Sequence, residues 1–124
     1  MRLTPVQFFL SLFLLEVVGA KRAFTLSLDG DLRVLHDQGE TIFPLWSSRS
    51  TARRARRKSW PHLRLTEIPL DDLMLLMQRA IAEDVVIGIG DAMEDLGLFW
   101  IPADWLERAL RAGIERRWRP EQLH

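Results

Sequence analysis

Thr41-Ile42-Phe43-Pro44-Leu45-Trp46-Ser47-Ser48-Arg49-Ser50 decides how this chain is read. Phe43, Leu45 and Trp46 supply a strand end heavy enough to anchor a core. Pro44 has no amide hydrogen, so it withdraws one ladder donor and predicts an edge strand or a bulge. Ser47 or Ser48 then caps a helix by accepting from the free N–H groups of its first turn. The stretch is a strand-to-helix corner. Before it lie a helix and short β-like runs; after it the chain alternates helix and strand.

Working back from the corner, Asp37-Gln38-Gly39 turns the chain into residues 41–46. Phe24-Thr25-Leu26-Ser27-Leu28 alternates strictly and runs into Asp29-Gly30, a strong two-residue hairpin signal. Leu32 and Val34 continue the inward face. Residues 23–46 therefore predict a three-stranded antiparallel meander. Asp29-Gly30-Asp31 resembles the opening of a calcium loop, but the other ligands and the closing glutamate are missing, so it reads as a turn.

Residues 4–19 predict a first helix. Thr4-Pro5-Val6-Gln7 is a capping box with proline at the first helical position, and Gly19 ends the segment. Phe9, Leu10, Phe13, Leu14 and Val17 form its core stripe. Phe8, Leu12 and Leu15 form a second apolar line, which either a neighbouring helix covers or a protein partner does. The same stretch has some features of a secretory signal: Arg2 ahead of it and small residues at Val18-Gly19-Ala20. Gln7, Ser11 and Glu16 interrupt the apolar run, which is also too short to span a membrane. The expectation is a folded helix in a cytoplasmic protein, with secretion following only if residues 1–20 are a cleaved signal peptide.

Forward of the corner, residues 48–58 predict a short basic helix with Ala52 and Ala55 on its inner side. Between Glu40 and Glu67 there is no acid, while Arg49, Arg53, Arg54, Arg56, Arg57, Lys58 and Arg64 supply seven cations. Arg53, Arg54, Arg56 and Arg57 beside Trp60 are the candidate contacts for nucleic acid, because phosphate pairing and base stacking need cations next to an aromatic. Residues 63–101 read as strand, helix, strand, strand. Leu70 and Leu75 suggest a hydrophobic staple around an Asp71 cap, Val85–Ile89 a strand buried on both faces, and Leu98–Ile101 its neighbour. Gly88-Ile89-Gly90 lacks the third glycine and the following helix of a dinucleotide fingerprint. Asp91 to Asp95 reads as an acidic loop, and Pro102 opens a final helix over residues 102–118. From Glu67 to Asp95, eight acids stand against one base, Arg79, so a basic segment is followed by an acidic one.

Size and composition bound the rest. A chain of 124 residues with 48% hydrophobic and 27% charged residues makes one globular domain. It has 17 basic and 17 acidic residues, so long-range steering by the whole molecule is weak. No cysteine is present, which excludes disulfides, thiolate nucleophiles and sulfur-ligated metal, and suits a reducing cytosol. His36, His62 and His124 have no paired-ligand spacing, and Ser47, Ser48 and Ser50 serve better as caps than as nucleophiles. No phosphate-binding loop occurs. No catalytic residue, metal ligand or cofactor is assigned, and the reading leans away from an enzyme.

The order of the pieces resembles a bacterial family catalogued as domain of unknown function 2750. The likeness is carried by Phe43-Pro44-Leu45-Trp46-Ser47 with Ala52 behind it, by Ile68-Pro69-Leu70-Asp71-Asp72-Leu73, by Val86-Ile87-Gly88-Ile89, and by Ile101-Pro102. A looser similarity runs to the amino-terminal domain of SseB-like proteins, a small α+β module. Glu83-Asp84 stand where that family's look calls for Asp-Gly. The resemblance implies no activity and lends no residue a role.

The expected fold is a single α+β domain: a mostly antiparallel sheet of about six strands, with helices packed on one face. The expected function is that of a non-enzymatic protein–protein interaction module, an adaptor or immunity-type binder. It would work through Phe8, Leu12 and Leu15 on a protein partner or a second copy; nucleic-acid binding through the arginine helix over 49–58 is the alternative.

Overall fold

Asp29 and Gly30 have φ of 52° and 87°, and Gln38 and Gly39 have φ of 50° and 80°. Two consecutive left-handed residues match the twist of an antiparallel pair, so both hairpins form where the sequence places them. The computed structural model describes residues 5–90 and 98–118. The elements run α1 (Pro5–Ala20), β1 (Arg22–Leu28), β2 (Asp31–Leu32), β3 (Leu35–Asp37), β4 (Glu40–Leu45) and α2 (Arg49–Ser59). They continue with β5 (Arg64–Pro69), α3 (Leu70–Ala82), β6 (Val86–Gly90), β7 (Leu98–Pro102) and α4 (Ala103–Trp118). The fold is α+β and mostly antiparallel, as expected.

The strands form two sheets, ordered β2-β1-β5 and β3-β4-β6-β7. Only β4 and β6 run parallel among the described strands. The predicted meander over 23–46 is thus divided. The β1–β2 hairpin stays with the first sheet, whereas the hairpin of β3 and β4 belongs to the second. The division falls at Arg33 and Val34, where the ladder stops and the Arg33 amide donates back to the Leu26 carbonyl at 3.0 Å. The corner then ties the sheets together. The Phe24 amide donates to the Trp46 carbonyl at 2.8 Å, and the Trp46 amide donates to the Phe24 carbonyl at 2.9 Å.

Pro44 lies neither on an edge strand nor in a bulge. β4 is an inner strand, but its pairing with β3 stops at Ile42, so β3 needs no donor from Pro44. The Pro44 carbonyl accepts from Thr25 Oγ1 at 2.6 Å, a buried link between the sheets.

Helices cover both faces of the four-stranded sheet. Phe13 and Val17 of α1, Leu73 and Met77 of α3, and Leu106 and Leu110 of α4 pack with Leu45, Ile87 and Ile89. A second core joins Phe24, Leu26, Trp46 and Leu63 to Ala52 of α2. The expected one-sided covering fails because side chains alternate along β6. Ile87 and Ile89 serve the larger core, while Gly88 and Gly90 leave the opposite face bare. A methyl at Gly90 would fall inside the Trp46 indole, and one at Gly88 would lie 2.8 Å from Ile42 Cγ2. The glycines of Val86-Ile87-Gly88-Ile89-Gly90 are there for packing.

Three helix ends depart from expectation. α1 runs past Gly19 to Ala20, and Lys21 takes the left-handed conformation at φ 60°. The Lys21 carbonyl then accepts from the Leu70 amide at 2.9 Å, satisfying an otherwise free donor at the start of α3. The α3 cap is therefore Pro69, and Asp71 and Asp72 lie in the first turn, where the positive helix end favours them. At the other end, Pro102 closes β7 and α4 begins at Ala103. Ser48 caps α2 as expected, its Oγ accepting from the Thr51 amide at 3.3 Å. Thr4 and the acidic segment 91–95 lie outside the described residues.

The Glu83-Asp84 departure has a structural reading. Val85 N donates to Ala80 O at 2.8 Å and Asp84 N to Ile81 O at 3.3 Å, which is a Schellman closure. Asp84, at φ 56°, occupies its left-handed position, normally glycine's. Asp84→Gly should therefore stabilise the fold by about 1 kcal/mol, read as a raised urea midpoint at constant slope. Gly90→Ala should cost about 1–3 kcal/mol, because the Trp46 indole must move. Gly19→Ala meets no atom within 4 Å and should stabilise by up to about 1 kcal/mol through helix propensity. A Gly90→Ala protein as stable as the parent would show that Trp46 is not held as described.

Candidate interaction surfaces and a cleft

The helical period sets the outer face of α1. With Leu10, Phe13, Val17 and Val18 buried against the core, Phe8, Leu12 and Leu15 must point away, and they are 50%, 40% and 71% exposed. No neighbouring helix covers this second apolar line among the described residues. Gly19 extends it by one turn and is itself exposed. The only charged residue of α1 is Glu16, whose Oε2 accepts from Ser47 Oγ at 3.1 Å. The face is thus apolar, uncharged and bounded by a glycine that its own fold does not require.

The arginines of α2 do not act as one group. Arg49 Nη2 reaches Glu67 Oε1 at 3.2 Å, and Arg22 Nη1 reaches the same oxygen at 2.9 Å. Both guanidinium groups also lie near the Phe24 ring, 5.1 and 5.3 Å from its centroid. Arg56 Nη1 donates to the carbonyls of Pro61 and Leu63, at 3.1 and 3.3 Å, and so closes the turn between α2 and β5. Trp60 is half-buried and meets Trp46 edge to face, with centroids 6.2 Å apart and planes at 63°. Arg53, Arg54 and Arg57 are exposed, and Arg53 and Arg57 lie one turn apart on the same side.

His36 and His62, far apart in sequence, line one cleft. It is an open depression of about 670 Å³, whose wall also includes Arg33 between β2 and β3, Trp60 at the end of α2 and Trp100 on β7. Ile42 and Leu98 supply apolar lining, and both sit where Gly88 leaves room for them. Among the described residues, the Arg33 guanidinium, both imidazoles and the two indole N–H groups have no hydrogen-bond or ion-pair partner. Sequence spacing could not reveal this grouping, since it depends on β3 crossing to the second sheet. The available signal was the alternation of Gly88 and Gly90, which marks a strand face occupied by large side chains from elsewhere.

No group of three or more metal-ligating side chains that could hold an ion occurs among the described residues. No described helix is long and apolar enough to cross a membrane. His124 lies outside the described residues. No curated protein matches the chain. A family model described as "Protein of unknown function (DUF2750)" matches residues 10–110. Those residues include the Trp46 corner, the Pro69 cap, the two-glycine strand β6 and the β7–α4 junction. The chain therefore belongs to the DUF2750 family.

Proposed function

We propose that this protein is a non-enzymatic interaction module of the cytoplasm, and that it pairs with a second copy of itself through the outer face of α1. The observation that carries this reading is the two-fold symmetry of that face. Phe8, Leu12, Leu15 and Gly19 are spaced four, three and four residues apart, so they form one straight line on the helix. An antiparallel copy crossing between Leu12 and Leu15 sets Leu12 against Leu15 and Phe8 against Gly19. The large ring at one end thus meets the open notch at the other, and no like charges face each other.

The line spans about 16 Å, so the contact is smaller than the roughly 1,200–2,000 Å² of a standard interface. Association should accordingly be weak and concentration-dependent. Sedimentation velocity across a rising concentration series should show a monomer–dimer equilibrium. Phe8→Lys with Leu12→Lys should weaken it at least tenfold while leaving the unfolding transition in place, since both side chains are already exposed. Gly19→Phe should fill the notch and weaken the dimer to a similar degree. A monomer at every concentration, or a dimer indifferent to these changes, would overturn the reading. Nucleic acid that co-purifies and is released by salt would instead move the function to Arg53, Arg54 and Arg57 of α2.

A further inference from the structure

We propose that the cleft between the first hairpin, the α2–β5 turn and β7 binds a small planar aromatic molecule that carries an anionic group. This is independent of the α1 face. At about 670 Å³ the cleft falls within the range of small-ligand sites. Its composition is specific. Trp60 and Trp100 come from different elements and offer two indole surfaces, which suit a flat ring because stacking is tolerant of ring chemistry. Arg33 adds a cation with no carboxylate partner among the described residues, and the imidazoles and indole N–H groups add further hydrogen-bonding groups. A cluster dominated by donors selects a ligand with acceptors and negative charge.

Among the described residues, the one acid lining the cleft is Asp37. It makes no ion pair with Arg33, so the guanidinium is left to meet an anion. The walls are also fixed in advance. Trp60 is braced edge-on by Trp46, and Ile42 and Leu98 are seated over Gly88. Less ordering is therefore needed on binding.

The shared chemistry of a ring bearing an anion occurs both in mononucleotides and in aromatic carboxylic acids, and the test separates them. The full chain is titrated with adenosine 5′-monophosphate, with indole-3-carboxylate, with uncharged adenosine and with inorganic phosphate. The indole N–H signals of its five tryptophans are followed by NMR. Saturable shifts of Trp60 and Trp100 are expected with at least one of the first two probes, and the probe that saturates names the source. Binding should weaken at least tenfold in Trp100→Ala, and the preference for the anionic probe should disappear in Arg33→Gln. Both side chains are exposed, so both variants should fold. Trp105, 40% exposed on α4, is the control for unspecific stacking. The proposal is overturned by the absence of saturation with either anionic probe, by equal shifts at Trp105, or by affinity unchanged in both variants. The Phe8→Lys, Leu12→Lys protein should bind as the parent does, so failure at this cleft and failure of the α1 pairing are read separately.

Discussion

Trp46 is the residue through which the two sheets become one domain. Its backbone exchanges both hydrogen bonds with Phe24, the sole bridge outside the named strands among the described residues. Its indole fills the space that Gly90 leaves and touches Trp60 edge-on. The same residue directly follows β4 and leads into the Ser48 cap of α2. A buried side chain of this size makes many weak contacts, so the energy of the junction is spread over both cores. Thr25 Oγ1 on the Pro44 carbonyl adds a directional link one strand-step away. Burial of both groups makes that bond costly to lose, because an unpaired buried acceptor forfeits its solvation.

Part of the charge pattern meets at the same junction. A basic segment is followed by an acidic one, so opposite charges are available to pair. Among the described residues, Glu67 accepts from Arg22 and Arg49 above the Phe24 ring. All three charged groups are substantially exposed, so the cluster orients α2 against β1 and β5 more than it stabilises them. The closing of the α2–β5 turn by Arg56 is of a different kind, since there a side chain satisfies backbone carbonyls of a loop.

Local chemistry was legible wherever the determinant lay within a few residues. The two hairpins follow from Asp29-Gly30 and Gly39, the α2 cap from Ser48, and the β6–β7 pair from two adjacent apolar runs. What was not legible depended on partners distant in sequence. Periodicity marks β4 and β6 as strands but says nothing of which strand each pairs with, so their parallel ladder, separated by α2, β5 and α3, was missed. The α1 terminus is set at Lys21 because its carbonyl is used by Leu70, a contact that no helix-stop signal reports. His36 and His62 looked scattered for the same reason.

β6 also decides how independent the two outer surfaces are. Its isoleucines pack into the core that supports α1, and Gly88 receives Ile42 and Leu98, which line the cleft. A shift of β6 along its axis would disturb both surfaces together. A change confined to the Phe8–Leu12–Leu15 line or to the rim at Arg33 and Trp100 would not, because neither group is buried in the shared wall. Coupling between the proposed sites would therefore require movement of a strand paired on both edges. Such a strand belongs to the most stable part of a domain, so the two proposed surfaces share one rigid support.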